Sequence, residues 1–388
     1  MKRVSYPKQE RALLVATYTR DLPRIQAEHQ VSELRNLALT AGAKVIRVCE
    51  QNLKSINPAT LIGKGKIDEL KHILSQEHFD IVLFNQNLSP VQQRNLETKL
   101  KRRIVDRTEL ILDIFAQHAQ SKDGKIQVEL AQLRYLRPRL SGRGIDFSRL
   151  GGGIGTRGPG ETQLEIDRRK IDQRISHLRQ EWTKIRNARR LQRKSRRRHN
   201  VATAVLVGYT NAGKSTLLNR LTSASVPTKN QLFSTLDTTT RRLYLPGDNI
   251  LLISDTVGFI SSLPKSLLAA FRATLEVVEE STILIHVADA GSPFLEEQFH
   301  AVHEVLGSLG CSQKAILTVF NKIDCLSDDL ALRELEHQVS PSVRCSALTD
   351  PNLDSLRNAI AHLLNEITTK PGNGDKKETA RQELTVVN

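Results

Sequence analysis

The 388-residue chain lacks the features expected of a membrane or secreted protein. It contains no apolar run of about 18 residues, so the sequence predicts no transmembrane helix. The N-terminal segment is basic but has no apolar core of the kind found in signal peptides. The four cysteines occur at spacings that fit no metal site. Cys311, Cys325 and Cys345 lie in or beside predicted core elements, which indicates reduced core thiols of a cytoplasmic protein.

Aromatic residues are also scarce, at 4% of the chain, whereas lysine and arginine bring the net charge to +15. Residues 121–200 hold 22 Lys and Arg against 8 Asp and Glu, so nearly all of the excess lies there. The aromatic residues of this segment are Tyr135, Phe147 and Trp182. So few aromatics argue against stacking on single-stranded bases and favour recognition of folded RNA by charge and shape. The alternative is a solvated basic surface.

Apolar spacing within this segment predicts two helices joined by a glycine-rich loop at residues 150–160. Thr162 and Glu165 form a capping-box pattern at the start of the second helix. The first helix carries Ile126, Leu130 and Leu133, and the second carries a heptad series of Leu164, Ile171, Ile175, Leu178, Trp182 and Ile185. We therefore expect an antiparallel helical hairpin at residues 113–200, with a loop able to approach a phosphate backbone closely.

The flanking regions predict two α/β domains. Residues 1–112 alternate apolar runs at 12–15, 44–48 and 81–84 with helical patterns, as in a small N-terminal α/β domain. Residues 201–367 predict a doubly wound α/β domain of the P-loop type, with strands near residues 203, 243, 251, 283, 316 and 343. The tail at residues 368–388 is rich in polar residues and is expected to be disordered.

The segment GYTNAGKS fits the phosphate-loop pattern and stands between an apolar strand and a helical pattern. Its backbone N–H groups would face phosphates at the start of the helix. Lys214 is predicted to reach the β- and γ-phosphates, and Ser215 to hold Mg²⁺. The predicted phosphate loop comprises Gly208, Tyr209, Thr210, Asn211, Ala212, Gly213, Lys214 and Ser215.

Two further segments are expected at the phosphates. DTVG follows a strand, so that Asp255 would support the Mg²⁺ shell and Gly258 would offer its N–H to the γ-phosphate. These four residues are Asp255, Thr256, Val257 and Gly258. The preceding hydroxyl-rich loop is expected to supply a second Mg²⁺ ligand, either Thr235 or one of Thr238, Thr239 and Thr240. Its predicted binding residues are Phe233, Ser234, Thr235, Leu236 and Asp237.

The segment NKID predicts a guanine site, because the Asp324 carboxylate can accept the two adjacent donors of guanine. Adenine lacks that pair of donors and would leave the charge unsatisfied. Asn321 is expected to bond the base and tie neighbouring loops together, and Lys322 to cover the base face. The predicted guanine site comprises Asn321, Lys322, Ile323 and Asp324, with Ser346, Ala347 and Leu348 facing the guanine oxygen.

These segments together predict an Mg²⁺-dependent enzyme that hydrolyses GTP to GDP and phosphate. Lys214, Thr235 and Gly258 are its candidate catalytic residues, and Ser215 and Thr235 its candidate metal ligands. In Ras-like switches a glutamine after this glycine orients the attacking water, but here that position is Phe259. Either another group positions the water, or hydrolysis by the isolated protein is slow.

The chain resembles the HflX family of translational GTPases over about residues 10–366. Besides the segments above, the resemblance rests on NQNLSP (85–90), QRNLE (93–97), DRTELILDIFA (106–116), QVELAQL (127–133), GPGET (158–162), DRR (167–169), FSTLD (233–237) and DTVGFI (255–260). It implies a cytoplasmic GTPase that binds the large ribosomal subunit and its rRNA, is stimulated by the ribosome, and splits or rescues ribosomes. It also favours Thr235 as the switch threonine. We expect a monomer.

Two alternatives compete with this interpretation. A non-catalytic module could bind GTP only to switch a protein partner. A peripheral membrane switch could instead place the basic helix on anionic lipid, giving transient membrane association. The arginines after Trp182 lack the opposed Phe- and Leu-rich face that such a helix needs, which disfavours the membrane alternative.

Overall fold

The computed structural model describes residues 9–19, 21–140, 163–198, 202–222, 232–233, 235, 238–247, 249–261, 267, 275–326, 329–351 and 353–369, with the backbone alone at 163, 189–198 and 368–369. The chain divides into two compact units. The first contains Met1–Lys194, Gln231–Asp237 and Leu263–Ala273, and the second contains Ser195–Asn230, Thr238–Ser262 and Thr274–Asn388.

Alternating strands and helices build a four-stranded parallel sheet in the first unit, in the order β2–β1–β3–β4. Its elements are β1 Arg11–Thr19, α1 Arg24–Thr40, β2 Lys44–Leu53, α2 Lys64–Gln76, β3 Ile81–Phe84, α3 Pro90–Leu100, β4 Arg103–Val105 and α4 Arg107–His118. Strand β3 is buried throughout, which explains its continuous apolar sequence. The three strands expected from the sequence are confirmed, whereas β4 is only three residues long, too short for a recognisable pattern.

Helix α4 runs through the domain boundary that the sequence predicts after residue 112. The Asp106 carboxylate caps this helix by accepting a hydrogen bond from the Glu109 N–H at 2.9 Å. Arg107, at its first turn, forms a buried ion pair with Glu33 of α1. Because the helix continues to His118, the N-terminal α/β layer extends past residue 112 and the hairpin begins only with the next helix.

The predicted antiparallel helical hairpin is present as α5 Lys122–Leu136 and α6 Gln163–Arg198. Lys122, at the start of α5, pairs with Glu181, whereas Arg137, just after α5, pairs with Asp172 nearer the start of α6. The expected apolar seam forms one cluster of Ile126, Leu130, Ile171, Ile175 and Leu178, with Leu133, Leu164, Trp182 and Ile185 packed against it. Leu140, which the spacing did not predict, joins the same cluster. The glycine-rich loop and the capping residue Thr162 lie outside the described residues.

The second unit contains a six-stranded sheet in the order β10–β9–β8–β5–β7–β6. The edge strand β6 runs antiparallel to its neighbour β7, and the other neighbouring strands of the sheet are parallel. Its elements are β5 Thr203–Val207, α7 Lys214–Thr222, β6 Thr239–Leu245, β7 Asn249–Asp255, β8 Ile283–Asp289, α8 Leu295–Ser308, β9 Ala315–Asn321, α9 Leu330–Gln338, β10 Ser342–Arg344 and α10 Asp354–Thr369. Val319 packs in the core under α7 and α10, and the next residue, Phe320, packs under α8 and α9. Helices therefore cover both faces, and the predicted doubly wound fold is confirmed.

Three of the four cysteines are buried, but Cys325 is exposed, which corrects the expectation that it is a core thiol. It follows the NKID segment in a short 3₁₀ turn, Ile323–Cys325, in which no residue is buried. Among the helices that the structure describes, none is both long enough and apolar enough to cross a bilayer.

Candidate active site

The parallel sheet of the second unit gathers the predicted segments at one edge. Strands β5, β7, β9 and β10 run in the same direction and end at Val207, Asp255, Asn321 and Arg344. The phosphate-loop, DTVG, NKID and SAL segments directly follow or complete these strands. In open α/β sheets, ligands bind beyond the carboxyl ends of the strands, so this edge is the candidate active site.

Lys214 stands at the first turn of α7 with its ammonium group buried in the phosphate loop. Its Nζ donates to the backbone carbonyls of Gly208 at 3.1 Å and Tyr209 at 2.7 Å. Burial lowers the pKa of Lys214 to about 8, partly opposed by the Asp255 carboxylate. A phosphate anion at this point would restore the full positive charge.

Ser215 and Asp255 bring a hydroxyl and a carboxylate together beside Lys214. The Ser215 Oγ donates to Asp255 Oδ2 at 2.5 Å, and both residues are buried. Thr256 fixes the next position, since its Oγ1 donates to the Leu206 carbonyl at 2.7 Å. Hydroxyl and carboxylate oxygens are the hard ligands that Mg²⁺ prefers, so this pair fits a magnesium site next to a bound phosphate.

Asn321 connects the phosphate loop with the SAL segment. Its Nδ2 donates to the Ala212 carbonyl at 2.9 Å, and its Oδ1 accepts from the Ala347 N–H at 2.8 Å. Gly213 stands so close that an added Cβ would lie 2.2 Å from the Asn321 amide nitrogen, and its φ is +96°. Only glycine satisfies both conditions, so the loop and the asparagine fit together as one element.

Lys322 and Asp324, the two residues predicted to contact the base, differ in their surroundings. Lys322 has a left-handed backbone, and its Nζ donates to Asp289 Oδ2 at 2.7 Å. Asp324 is exposed, and a hydrogen bond from the Ser346 side chain is the main cause that lowers its pKa. Asp324 is therefore held as a carboxylate at an accessible position, as acceptance from two base donors requires.

The loop predicted to supply the second metal ligand belongs to the first unit in this structure. Phe233, which is 2% exposed, packs edge-on against Phe115 with ring centroids 4.7 Å apart. The N–H of its neighbour Leu232 donates to Thr40 Oγ1 at 3.3 Å. Thr235 falls in the same piece of the first unit, whereas Ser215 and the alternative threonines Thr238, Thr239 and Thr240 fall in the second. Ser234, Leu236 and Asp237 lie outside the described residues.

Sequence reasoning missed three residues that support the site. Asp289 ends β8 at the same edge of the sheet, a position that could have identified it, and it holds Lys322. Asp350 caps the SAL segment by accepting from the Ser346 N–H at 2.7 Å. Ser261 contacts the phenol of Tyr209, and nothing in the sequence pattern indicates that contact.

Three family models match the chain in succession. They are a GTP-binding GTPase N-terminal model over residues 28–116, a GTP-binding GTPase middle-region model over residues 118–196, and a 50S ribosome-binding GTPase model over residues 203–322. Together they cover most of both units.

Similar proteins agree with these matches. A protein named GTPase HflX from Lacrimispora saccharolytica is 47% identical over 92% of this chain and 83% of its own length. The protein of that name from Escherichia coli is 41% identical over 92% of this chain and 84% of its own. A crystal structure of SsGBP with GDP, 27% identical, covers 93% of this chain and all of that chain with a TM-score of 0.51.

Proposed function

The chain belongs to the HflX family of GTPases and hydrolyses GTP, and we propose that it does so on the large ribosomal subunit, through the residues gathered at the edge of the second sheet. The assignment of the nucleotide site rests on one observation: the Asn321 side chain joins the phosphate loop to the SAL segment through two buried hydrogen bonds. A site that binds both the phosphates and the base of a nucleotide needs such a link, because its two halves must be held at a fixed separation.

The roles of the individual residues follow from their chemistry. Lys214 and the backbone N–H groups of the loop would hold the β- and γ-phosphates. Asp324 would accept the guanine donors, with Lys322 over the base and the N–H groups at Ala347 and Leu348 facing the guanine oxygen. Gly258 would meet the γ-phosphate through its N–H.

Ser215 would bind Mg²⁺ directly, and Asp255 would orient the ion's water shell. A bound Mg²⁺ would neutralise charge on the β- and γ-phosphates. Thr235 is the residue that we propose as the second ligand of the ion.

The basic helical hairpin is the proposed contact with rRNA. Arg174 pairs with Glu129 and Arg137 with Asp172, so part of its charge is used within the hairpin. Four further basic residues of α6 are exposed and form no ion pair with any described residue: Arg168, Lys170, Arg179 and Lys184. Exposed cations on a rigid helix suit the phosphates of folded RNA, and the match to a 50S ribosome-binding GTPase model supports this partner.

The test is co-sedimentation with purified 50S subunits and 70S ribosomes in GTP, GDP or a non-hydrolysable GTP analogue, with GTP turnover measured alongside. We expect tighter binding with the analogue than with GDP, faster turnover on ribosomes, and conversion of 70S particles into subunits. Binding without any increase in turnover would favour the non-catalytic module instead.

Salt dependence tests the hairpin separately. Changing Arg193, Lys194, Arg196, Arg197 and Arg198 to Gln should make the slope of log affinity against log salt shallower by up to roughly 4. Each phosphate contact that is lost reduces the number of counterions released when the protein binds RNA. GTP affinity should stay unchanged. The matched control changes five exposed residues of the α/β layer to Gln: Arg24, Lys54, Lys71, Lys99 and Lys101. Equal slopes for parent, variant and control would contradict the RNA assignment.

A further inference from the structure

Two backbone hydrogen bonds join the phosphate loop to the residues that follow the switch glycine. The Thr210 N–H donates to the Phe259 carbonyl at 2.7 Å, and the Phe259 N–H donates to the Gly208 carbonyl at 3.0 Å. They form an isolated parallel bridge between Tyr209 and Phe259, beyond the paired ends of β5 and β7. The phosphate loop and the segment after Gly258 are therefore paired like short strands.

The Tyr209 side chain makes a second link at the same place. Its phenolic oxygen lies 2.7 Å from Ser261 Oγ and accepts from the Ser261 N–H at 2.9 Å. Tyr209 is only 4% exposed, and Phe259 and Ile260 are fully enclosed. The Tyr209 hydroxyl thus contacts both the backbone N–H and the side-chain Oγ of Ser261, and these two contacts together define the position of Ser261 closely.

This double attachment determines where Gly258 stands. A Cβ added at Gly258 would lie 2.8 Å from the Thr210 Cα and 3.0 Å from the Lys214 Nζ. On the side before Gly258, Thr256 is bonded to Leu206, and on the side after it, Ser261 is bonded to Tyr209. The switch glycine is therefore held against the lysine from both directions.

We infer that Tyr209 is a positioning residue for GTP hydrolysis, which holds the Gly258 backbone at the phosphate-binding lysine through its hydrogen bonds to Ser261. The inference rests on the proposed roles of Lys214 and Gly258 at the γ-phosphate. The Tyr209 hydroxyl points towards Ser261, so it acts on the reaction through the switch backbone. The Phe259 side chain offers no hydrogen bond to water. The geometry at the γ-phosphate therefore depends more on the position of this backbone than it does in switches where a glutamine follows the glycine.

Tyr209→Phe in the full chain removes one oxygen and keeps the ring. Loss of two hydrogen bonds should lower the single-turnover rate at saturating GTP by roughly 10- to 30-fold, while GDP affinity changes less than about threefold. Ser261→Ala keeps the backbone donor and should lower the rate by a smaller factor. The double variant should be no slower than Tyr209→Phe alone, because both changes break the same link.

The matched control is Tyr244→Phe, an exposed tyrosine on β6 whose hydroxyl has no hydrogen bond to any described residue. It should match the parent in every assay. Amide hydrogen exchange supplies a readout that a general loss of packing would not mimic. In Tyr209→Phe the Phe259 amide should exchange faster, while the amides of β8 and β9 stay protected.

Three outcomes separate the possibilities. A parental rate in Tyr209→Phe, with the Phe259 amide still protected, would overturn the inference. If Tyr209→Phe lowers the melting temperature, Ser261→Ala decides, and a parental rate in that variant would overturn it equally. If Lys214→Ala and Gly258→Ala also hydrolyse GTP at the parental rate, the proposed site itself is wrong.

Discussion

Replacement of Asn321 by alanine tests whether the phosphate loop and the SAL segment form one nucleotide site. Asn321 is 1% exposed and bonds the Ala212 carbonyl and the Ala347 N–H, which belong to two loops far apart in the chain. Alanine removes both bonds and leaves both backbone groups buried without a partner. The two loops would then lose the side chain that hydrogen-bonds to both of them.

The expected size of the effect follows from these two contacts. A buried hydrogen bond contributes about 1 kcal/mol net, and each buried group left unsatisfied adds a further penalty, so the total is about 2 to 4 kcal/mol. If that cost appears in binding, GDP affinity falls by about 30- to 1,000-fold. Asn321→Asp keeps the acceptor but turns a negative oxygen towards the Ala212 carbonyl, so it should bind no better.

Titration with a fluorescent GDP analogue measures the affinity, and urea unfolding shows whether the second unit remains folded. The matched control is Asn249→Ala, because Asn249 is exposed at the first position of β7 and its side chain donates to the Pro246 carbonyl at 3.4 Å, away from the nucleotide loops. It should bind GDP like the parent. A change of less than threefold for Asn321→Ala, in a folded protein, would refute the link between the two loops.

Three further predictions follow from the described contacts. Because burial lowers the pKa of Lys214 to about 8, and phosphate would raise it again, GDP binding should take up almost no proton near pH 7, about half near pH 8 and nearly one near pH 9. Calorimetry in buffers of different ionisation enthalpy measures this uptake, and equal uptake at all three pH values would contradict it. Gly258→Ala places a methyl group 2.8 Å from the Thr210 backbone, so turnover should fall at least roughly 100-fold, as steady-state hydrolysis would show. Replacing Glu33 or Arg107 alone by Leu removes one partner of their buried ion pair and should destabilise the first unit by about 3 to 5 kcal/mol in urea unfolding, whereas replacing both should recover most of that loss.

Much of the fold could be predicted because its signals are local in sequence. Strands β5, β7, β8 and β9 of the second unit each contain an apolar run, and the seam of the hairpin repeats with helical spacing. The elements that escaped prediction are those without such a pattern. Strand β4 has three residues, and helix α4 continues past residue 112, where Ile114 and Phe115 are still buried.

The candidate site divides in the same way. Residue type and spacing were enough to choose Lys214, Ser215, Asp255 and Asp324, since the patterns of a phosphate loop and of a guanine-binding carboxylate each lie within a short contiguous segment. The roles given to them remain predictions until binding and turnover are measured. Sequence could not choose between Thr235 and its threonine neighbours by composition, because that choice depends on where the loop lies.

The sequence by itself determined the order of the chemical groups and the sheet whose parallel strands bring them to one edge. It also determined the basic hairpin, which follows the first α/β region and precedes the second along the chain. Only the tertiary structure decided which groups touch: Asn321 with Ala212, Asp289 with Lys322, and Tyr209 with Ser261. It also placed Phe233 beside Phe115 in the first unit. The physical reason is that motifs follow from contacts along a short segment, whereas these pairs join residues separated by tens to more than a hundred positions, whose distance is set by the packing of the whole unit.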